Sequence, residues 1–97
     1  MPKYVMLFNL TDQGIKSVKE SPQRVRRAMD AIKQQGGRLV DFSLTMGQYD
    51  MVATFEAPDN ATMARFVLTL GSQGNVRTTT LSALSLEEFE KLTQSLG

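Results

Sequence analysis

The chain has 97 residues, of which 41% are hydrophobic and 22% charged, a composition typical of one globular domain spanning residues 1–97. Its 11 basic and 10 acidic side chains leave a net charge of +1, so no general field attracts nucleic acid or an anionic membrane. Without Cys or His, disulfides, thiol catalysis, Ser-His-Asp triads and the usual zinc sites are excluded. We therefore expect no metal and no cofactor.

The first predicted element is a β-strand over residues 3–10, which are rich in aromatic and β-branched side chains. The apolar run at residues 4–8 places hydrophobic side chains on both faces, so we expect a central strand buried on both sides. This run is too short to span a membrane, and no signal-peptide cleavage pattern follows it, so we expect a cytoplasmic protein. Residues 11–14 are expected to form a turn.

The first helix is predicted to begin at Ser21, because serine caps free amides and Pro22 suits the first helical turn. Gly36 and Gly37 are expected to end it. Its apolar residues recur at helical spacing and predict a core-facing stripe of Val25, Ala28, Met29 and Ile32.

A β-hairpin is predicted after this helix. Residues 38–46 alternate between apolar and polar side chains, which is typical of a strand with one buried face. Gly47 and Gln48 then lead into a strand over residues 50–56. In the first strand of the hairpin, the residues expected to face the core are Val40, Phe42, Leu44 and Met46.

The second half of the chain repeats the helix and strand. Pro58 and Asp59 open a helix, residues 76–84 predict the fourth strand, and Ser85 caps a terminal helix with an acidic first turn. The predicted buried stripe of the second crossover helix contains Ala61, Ala64, Val67, Leu68 and Gly71. The terminal helix carries Leu86, Phe89, Leu92 and Leu96.

The predicted fold is α+β: a ferredoxin-like β-α-β-β-α-β arrangement with an extra C-terminal helix and a four-stranded antiparallel sheet. Right-handed crossovers place both helices on one sheet face, so the opposite face stays open. One apolar set from the first strand is expected to join hydroxyls and carboxylates there, as in a subunit interface that encloses a cavity. The other expected residues of this face are Asp41, Ser43, Thr45, Val52, Thr54, Glu56, Thr78, Thr80 and Ser82.

The run Met-Gly-Gln-Tyr-Asp at residues 46–50 resembles the Gly-Tyr-Asp signature of the GYD-domain family, with one residue between the glycine and the tyrosine. Similar segments follow the same order at residues 8–15, 21–24, 36–37, 56–59 and 71–81. The resemblance implies a ferredoxin-like subunit related to dimeric α/β barrel proteins, in which two sheets pair through their open faces. It implies no agreed activity, so no catalytic residues are carried over.

The candidate ligand-binding residues are Tyr4, Asp41, Tyr49, Asp50, Thr54, Arg77 and Thr79. Asp50 can orient the Tyr49 phenol at a cavity mouth, or it can satisfy amides of the hairpin turn. Arg77 beside Thr79 can pair with a substrate carboxylate, or it can form a structural salt bridge. The sequence leaves these alternatives open.

Two further patterns have ordinary structural explanations. The glycine-rich residues 71–75 offer backbone amides to an anion, but they follow a helix and fit a helix C-cap. The first helix has a locally basic face, which is typical of a solvated surface when no aromatic platform accompanies it. Its basic residues are Arg24, Arg26, Arg27 and Lys33.

Besides a detached effector domain like those of amino-acid-responsive regulators, three functional hypotheses remain. The first is a small homodimer, or a higher even oligomer, that binds a small organic ligand in a cavity between the sheet faces. The second is an assembly or interaction module in which the open face only joins subunits. The third is a cofactor-independent enzyme of isomerase or monooxygenase type, although the sequence identifies no activated acid-base pair. Nucleic acid and membranes are not expected partners.

Overall fold

The computed structural model describes residues 1–97 and contains one four-stranded antiparallel sheet. The strand order β2-β3-β1-β4 is that of a ferredoxin-like α+β fold, so the predicted fold class is confirmed. None of the helices combines the length and the apolar composition needed to cross a membrane. The elements are β1 Lys3–Leu10, α1 Asp12–Lys16, a 3₁₀ turn Val18–Glu20, α2 Ser21–Gln34, β2 Arg38–Leu44, β3 Met51–Glu56, α3 Asn60–Ser72, β4 Val76–Ala83 and α4 Leu86–Gln94.

The core lies between one face of the sheet and helices α2 and α3. Met6 of β1 pairs with Ala53 of β3, and both are buried, as are their neighbours on the same face. On the helix side of this face, α3 contributes Phe66, whose ring centroid lies 5.3 Å from that of Phe55. Each such buried aromatic or aliphatic side chain contributes about 1.5–3 kcal/mol. Only 12 of the 97 residues are buried, so this core is small for the chain length.

The helix stripes differ from the predicted ones. In α3 the buried residues are Met63 and Phe66, while Ala61, Ala64, Leu68 and Gly71 are not buried. Val67 packs on the core as predicted, but the rest of the predicted stripe was wrong, because the helix turns Met63 and Phe66 toward the sheet, where these larger side chains remove more apolar area from water. In α2, Ile32 is fully buried and Ala28 and Ala31 pack on the core, but Met29 is 41% exposed.

Strand β2 also departs from its predicted alternation. The register with β3 shifts between Leu39 and Asp41, so a bulge occurs at Val40. A bulge adds one residue to a strand, and the residue before it faces the core in place of the one predicted. Leu39 therefore packs on the core while Val40 is 46% exposed. The strand ends at Leu44, and the predicted core positions Leu44 and Met46 lie in solvent.

The start of α2 is not capped as predicted. Ser21 already has helical backbone angles and is the first residue of the helix, and the N-cap position falls on Glu20. No side chain caps the free amides there. The hydroxyl Oγ of Ser21 is buried without a hydrogen-bond partner.

Residues 11–14 form the start of helix α1 instead of the predicted turn. Thr11 Oγ1 accepts a hydrogen bond from the Gly14 amide at 3.0 Å and donates one to the Gly74 carbonyl at 2.6 Å. The Thr11 amide donates to the Asn75 carbonyl at 3.1 Å. These bonds hold the end of β1 against the α3–β4 loop. The approach is so close that a Cβ on Gly14 would lie 2.0 Å from the Asn75 carbonyl oxygen.

This contact predicts the effect of Gly14→Ala. The clashing atom belongs to the backbone and cannot rotate away, so we expect a loss of about 1–3 kcal/mol in the free energy of unfolding. Gly71→Ala is the matched control, because nothing lies within 4 Å of an added Cβ in the last turn of α3. It should stabilise by up to about 1 kcal/mol through helix propensity. Urea unfolding measures both, and equal stabilities of the two variants would contradict the contact.

Candidate functional site

The sheet face opposite α2 and α3, called here the open face, has an apolar centre. Cross-strand pairing places Val5 of β1 beside Leu81 of β4, and Leu7 beside Val52 of β3. Three of these side chains are half-buried by their neighbours, and Leu81 is 47% exposed. Side chains directly opposite one another lie on the same face, so these four form a continuous aliphatic patch.

Polar groups surround this patch. Asp41 pairs with Thr54 and Thr79 pairs with Leu7, which places all three polar side chains on the open face. Arg77 pairs with Asn9 at one end of the same face. The structure therefore brings four of the candidate ligand-binding residues, Asp41, Thr54, Arg77 and Thr79, onto one surface.

The predicted face of β4 was wrong. Thr78, Thr80 and Ser82 stand opposite Phe8, Met6 and Tyr4, the core-facing residues of β1. They consequently lie on the helix side of the sheet. The intervening residues Arg77, Thr79, Leu81 and Ala83 face the open side instead.

Tyr4 lies apart from the open face. It is 4% exposed, belongs to the core between sheet and helices, and its hydroxyl donates to Asn60 Oδ1 at the start of α3. A buried tyrosine needs a partner for its hydroxyl, and Asn60 provides one. The side chain thus fastens α3 to the sheet.

Asp50 binds the backbone of β1. Its Oδ2 accepts a hydrogen bond from the Leu10 amide at 2.8 Å, and its own amide donates to the Phe8 carbonyl at 2.8 Å. The Tyr49 carbonyl accepts from Thr45 Oγ1 at 2.6 Å within the same loop. The Asp50 carboxylate therefore accepts a hydrogen bond from an amide of β1. Its partner is neither the phenol of Tyr49 nor an amide of its own turn.

One ion pair marks the far end of the open face. Arg38 Nε donates to Glu56 Oε1 at 2.5 Å across β2 and β3, and Lys3 pairs with Glu56 in the register. The hydrogen bond from Arg38 lowers the pKa of Glu56 below its ordinary value, with its charge adding to the effect. Glu56 therefore stays ionised, and the pair adds a charged edge to the patch.

Helix α4 presents a second apolar surface. A capping box of Ser85 and Glu88 starts it: Glu88 donates its amide to Ser85 Oγ at 3.1 Å, and Ser85 donates its amide to Glu88 Oε1 at 3.0 Å. These bonds lower the pKa of Glu88. No residue of α4 is buried, and its apolar stripe is exposed by half or more at Leu86, Phe89 and Leu92; Leu96, predicted to continue the stripe, lies beyond the end of the helix and is exposed as well.

Comparison with known proteins identifies the family. The model of the GYD domain matches residues 4–93. The chain belongs to the GYD-domain family. The predicted resemblance to this family is thereby confirmed, and in this GYD protein residues 46–50 lie in the hairpin loop that Asp50 joins to β1.

A similar protein is known from Thermus thermophilus. It is named a glutamine synthetase and cystathionine beta-lyase binding protein. The GYD protein is 36% identical to it over 90 residues, which are 92% of this chain and 95% of the relative.

Two solved structures share the fold. MtbAldR superposes with a TM-score of 0.68 at 21% identity over 87% of the GYD protein, which spans about half, 52%, of that chain. TTHA0845, also from Thermus thermophilus, gives a TM-score of 0.56 at 23% identity, and the match covers 88% of this chain and 95% of its own. At these identities the likeness concerns the fold alone.

The bond between Asp50 and Leu10 predicts a structural effect. Asp50→Ala leaves a strand amide without its partner and should lower the free energy of unfolding by about 1–3 kcal/mol. Asp50→Asn keeps an acceptor oxygen and should lose less. Asp30→Asn, on the exposed side of α2, is the charge-matched control and should stay within about 0.5 kcal/mol. Urea unfolding measures all three, and unchanged stability of Asp50→Ala would refute a structural role for this carboxylate.

Proposed function

We propose that the protein is a homodimeric binding protein whose partners are other proteins. The carrying observation is the apolar surface that the fold leaves in solvent, on the open face around Leu81 and on helix α4 around Phe89. An exposed aliphatic patch surrounded by polar groups is characteristic of an interaction site. The small core adds a reason to associate, because burial between subunits supplies stabilisation that a short chain lacks.

A second copy of the chain fits the open face. Cross-strand pairs put charges of both signs at its edges, with Asp41 midway along β2 and Arg77 near the start of β4. Two identical faces related by a twofold axis can place the aliphatic patches in register and bring opposite charges together at the rim.

The size of the open face leads us to assign α4 to the same interface. Four strands of about seven residues offer a flat area of roughly 19 by 23 Å, or about 440 Å². A standard interface buries about 800 Å² on each partner, so the sheet face alone supplies about half. The nine residues of α4 extend this area with an apolar stripe that nothing within its own chain buries.

The relative from Thermus thermophilus supports binding of proteins. That protein is named for binding glutamine synthetase and cystathionine beta-lyase, and 36% identity along nearly the full length of both chains makes the same type of activity the best hypothesis here. In this proposal the open face joins the two subunits. The outer sides of the helices then remain accessible to other proteins.

A small ligand between the paired faces is the second candidate function. Asp41, Thr54, Arg77 and Thr79 would line such a cavity from each subunit, around the aliphatic patch. A guanidinium and hydroxyls on an apolar floor suit an organic acid. This candidate also depends on the dimer, because one face alone encloses nothing.

The dimer is tested by placing a charge in each apolar surface. Wild-type protein should have twice the 10.8 kDa chain mass in analytical ultracentrifugation. Leu81→Glu and Phe89→Glu should each raise the dimer dissociation constant at least about a hundredfold, because a carboxylate would be buried without a partner. Leu68→Glu, at a residue 73% exposed on α3, is the control and should leave the mass unchanged. A monomeric wild type would overturn the proposal.

Binding of other proteins is tested with the two enzymes named for the relative. Purified glutamine synthetase and cystathionine beta-lyase from the source organism should bind the immobilised protein saturably in biolayer interferometry. Bovine serum albumin serves as the control analyte. If neither enzyme binds while the protein is dimeric, the protein-binding function fails and the dimer stands alone.

A further inference from the structure

A cavity of about 70 Å³ lies on the helix side of the sheet, between α2 and the ends of α3 and β1. Ten of its fourteen lining residues are hydrophobic, and these ten come from α2, α3 and all four strands. Val25, Ala28, Leu39 and Met51 are among them. A site for one water needs about 10–15 Å³, so the cavity has room for roughly five to seven atoms of that size.

The cavity joins the core to the protein surface. Phe8 and Phe55 on its wall are buried and belong to the core, whereas Gln73 on the same wall is an exposed residue of the α3–β4 loop. The cavity lies on the side of the sheet away from the open face, and no residue of α4 lines it. Binding in this cavity therefore does not depend on the proposed dimer.

Several polar atoms of the lining residues are bonded within the chain or closed to a ligand. Ser21 Oγ and Arg24 Nη1 each expose less than 1 Å², so a molecule in the cavity cannot reach them. Arg24 Nη2 already donates to the hydroxyl and the carbonyl of Ser17. Asn75 Oδ1 accepts from Gln13 Nε2 at 2.9 Å. A charged ligand would therefore lose its hydration here without gaining these partners, which is costly.

We propose that this cavity binds a small, neutral hydrocarbon of about the size of benzene, held by apolar contacts alone. Cavities with apolar walls stay free of water and bind molecules of this class. The wall atoms of an unfilled cavity lack partners for dispersion contacts, and a hydrocarbon that fits supplies them. Removing the hydrocarbon's own surface from water adds to the affinity. A benzene ring matches the room for roughly five to seven atoms.

The experiment is an NMR titration of the whole protein with benzene, with ¹³C-methyl labels on its Leu, Val and Met residues. Phenol is the matched probe, because it has the same ring with one added hydroxyl. We expect saturable shifts of the Val25, Leu39 and Met51 methyl groups with benzene. Phenol should bind at least about tenfold more weakly, because its hydroxyl would be buried without a hydrogen-bond partner.

Variants assign the binding to the cavity. Ala28→Leu places a larger side chain in the space that benzene would occupy and should weaken binding at least about tenfold. Ala64→Leu, the same substitution at an exposed alanine of α3, should bind as wild type. Ala28→Val is a smaller change at the same wall and replaces Ala28→Leu if that variant fails to fold. The proposal is overturned if benzene gives no saturable shift, if phenol binds as tightly as benzene, or if the folded Ala28 variant binds benzene undiminished.

Discussion

The sheet is covered by helices on one face only, and the centre of its other face is aliphatic. Both crossover connections, β1 to β2 through α2 and β3 to β4 through α3, are right-handed by the general rule, so neither helix can reach the open face. Val5, Leu7, Val52 and Leu81 consequently remain on a surface that their own chain does not cover. Each square ångström of apolar surface removed from water contributes about 25 cal/mol, so covering this patch is favourable for any partner that fits.

The central strand β1 is fixed at its end by the hairpin loop of residues 46–50 and by the α3–β4 loop. β1 has neighbours on both sides, and its end at Leu10 is bound by two loops: Asp50 of the hairpin accepts its amide, and the Thr11 amide donates to Asn75 of the α3–β4 loop. The hairpin needs Gly47, whose φ of +126° is a conformation that other residues rarely adopt. The hairpin loop is thus architectural, because Asp50 fixes the end of β1 relative to β3. The open face and the apolar stripe of α4 lie outside this loop.

Much of the fold follows from the sequence, because β1 and β3 have clear apolar runs and the helices have clear end signals. The side of β4 that faces the core does not follow from it. Residues 78–80 are all threonine, so both faces carry the same residue type and only pairing with β1 decides between them. The bulge at Val40 is likewise set by pairing with β3. Strand pairing therefore determines which residues lie on the open face. Two residues of that face, Arg77 and Thr79, were predicted as candidates from the charge and the hydroxyl of their side chains, and not from the face they occupy.

The start of α2 shows how a local rule fails where tertiary packing outweighs it. A serine before a proline satisfies the rule for a helix cap, yet the helix here begins at Ser21 itself and the hydroxyl does not cap it. Arg24 belongs by sequence to a basic, solvated face, yet its side chain is four-fifths buried. Proteins depart from local preferences mainly where another requirement outweighs them. Both departures occur within one turn of α2, where Ser21 and Arg24 also line one apolar cavity, so the packing of α2 against the sheet outweighs the local signals there.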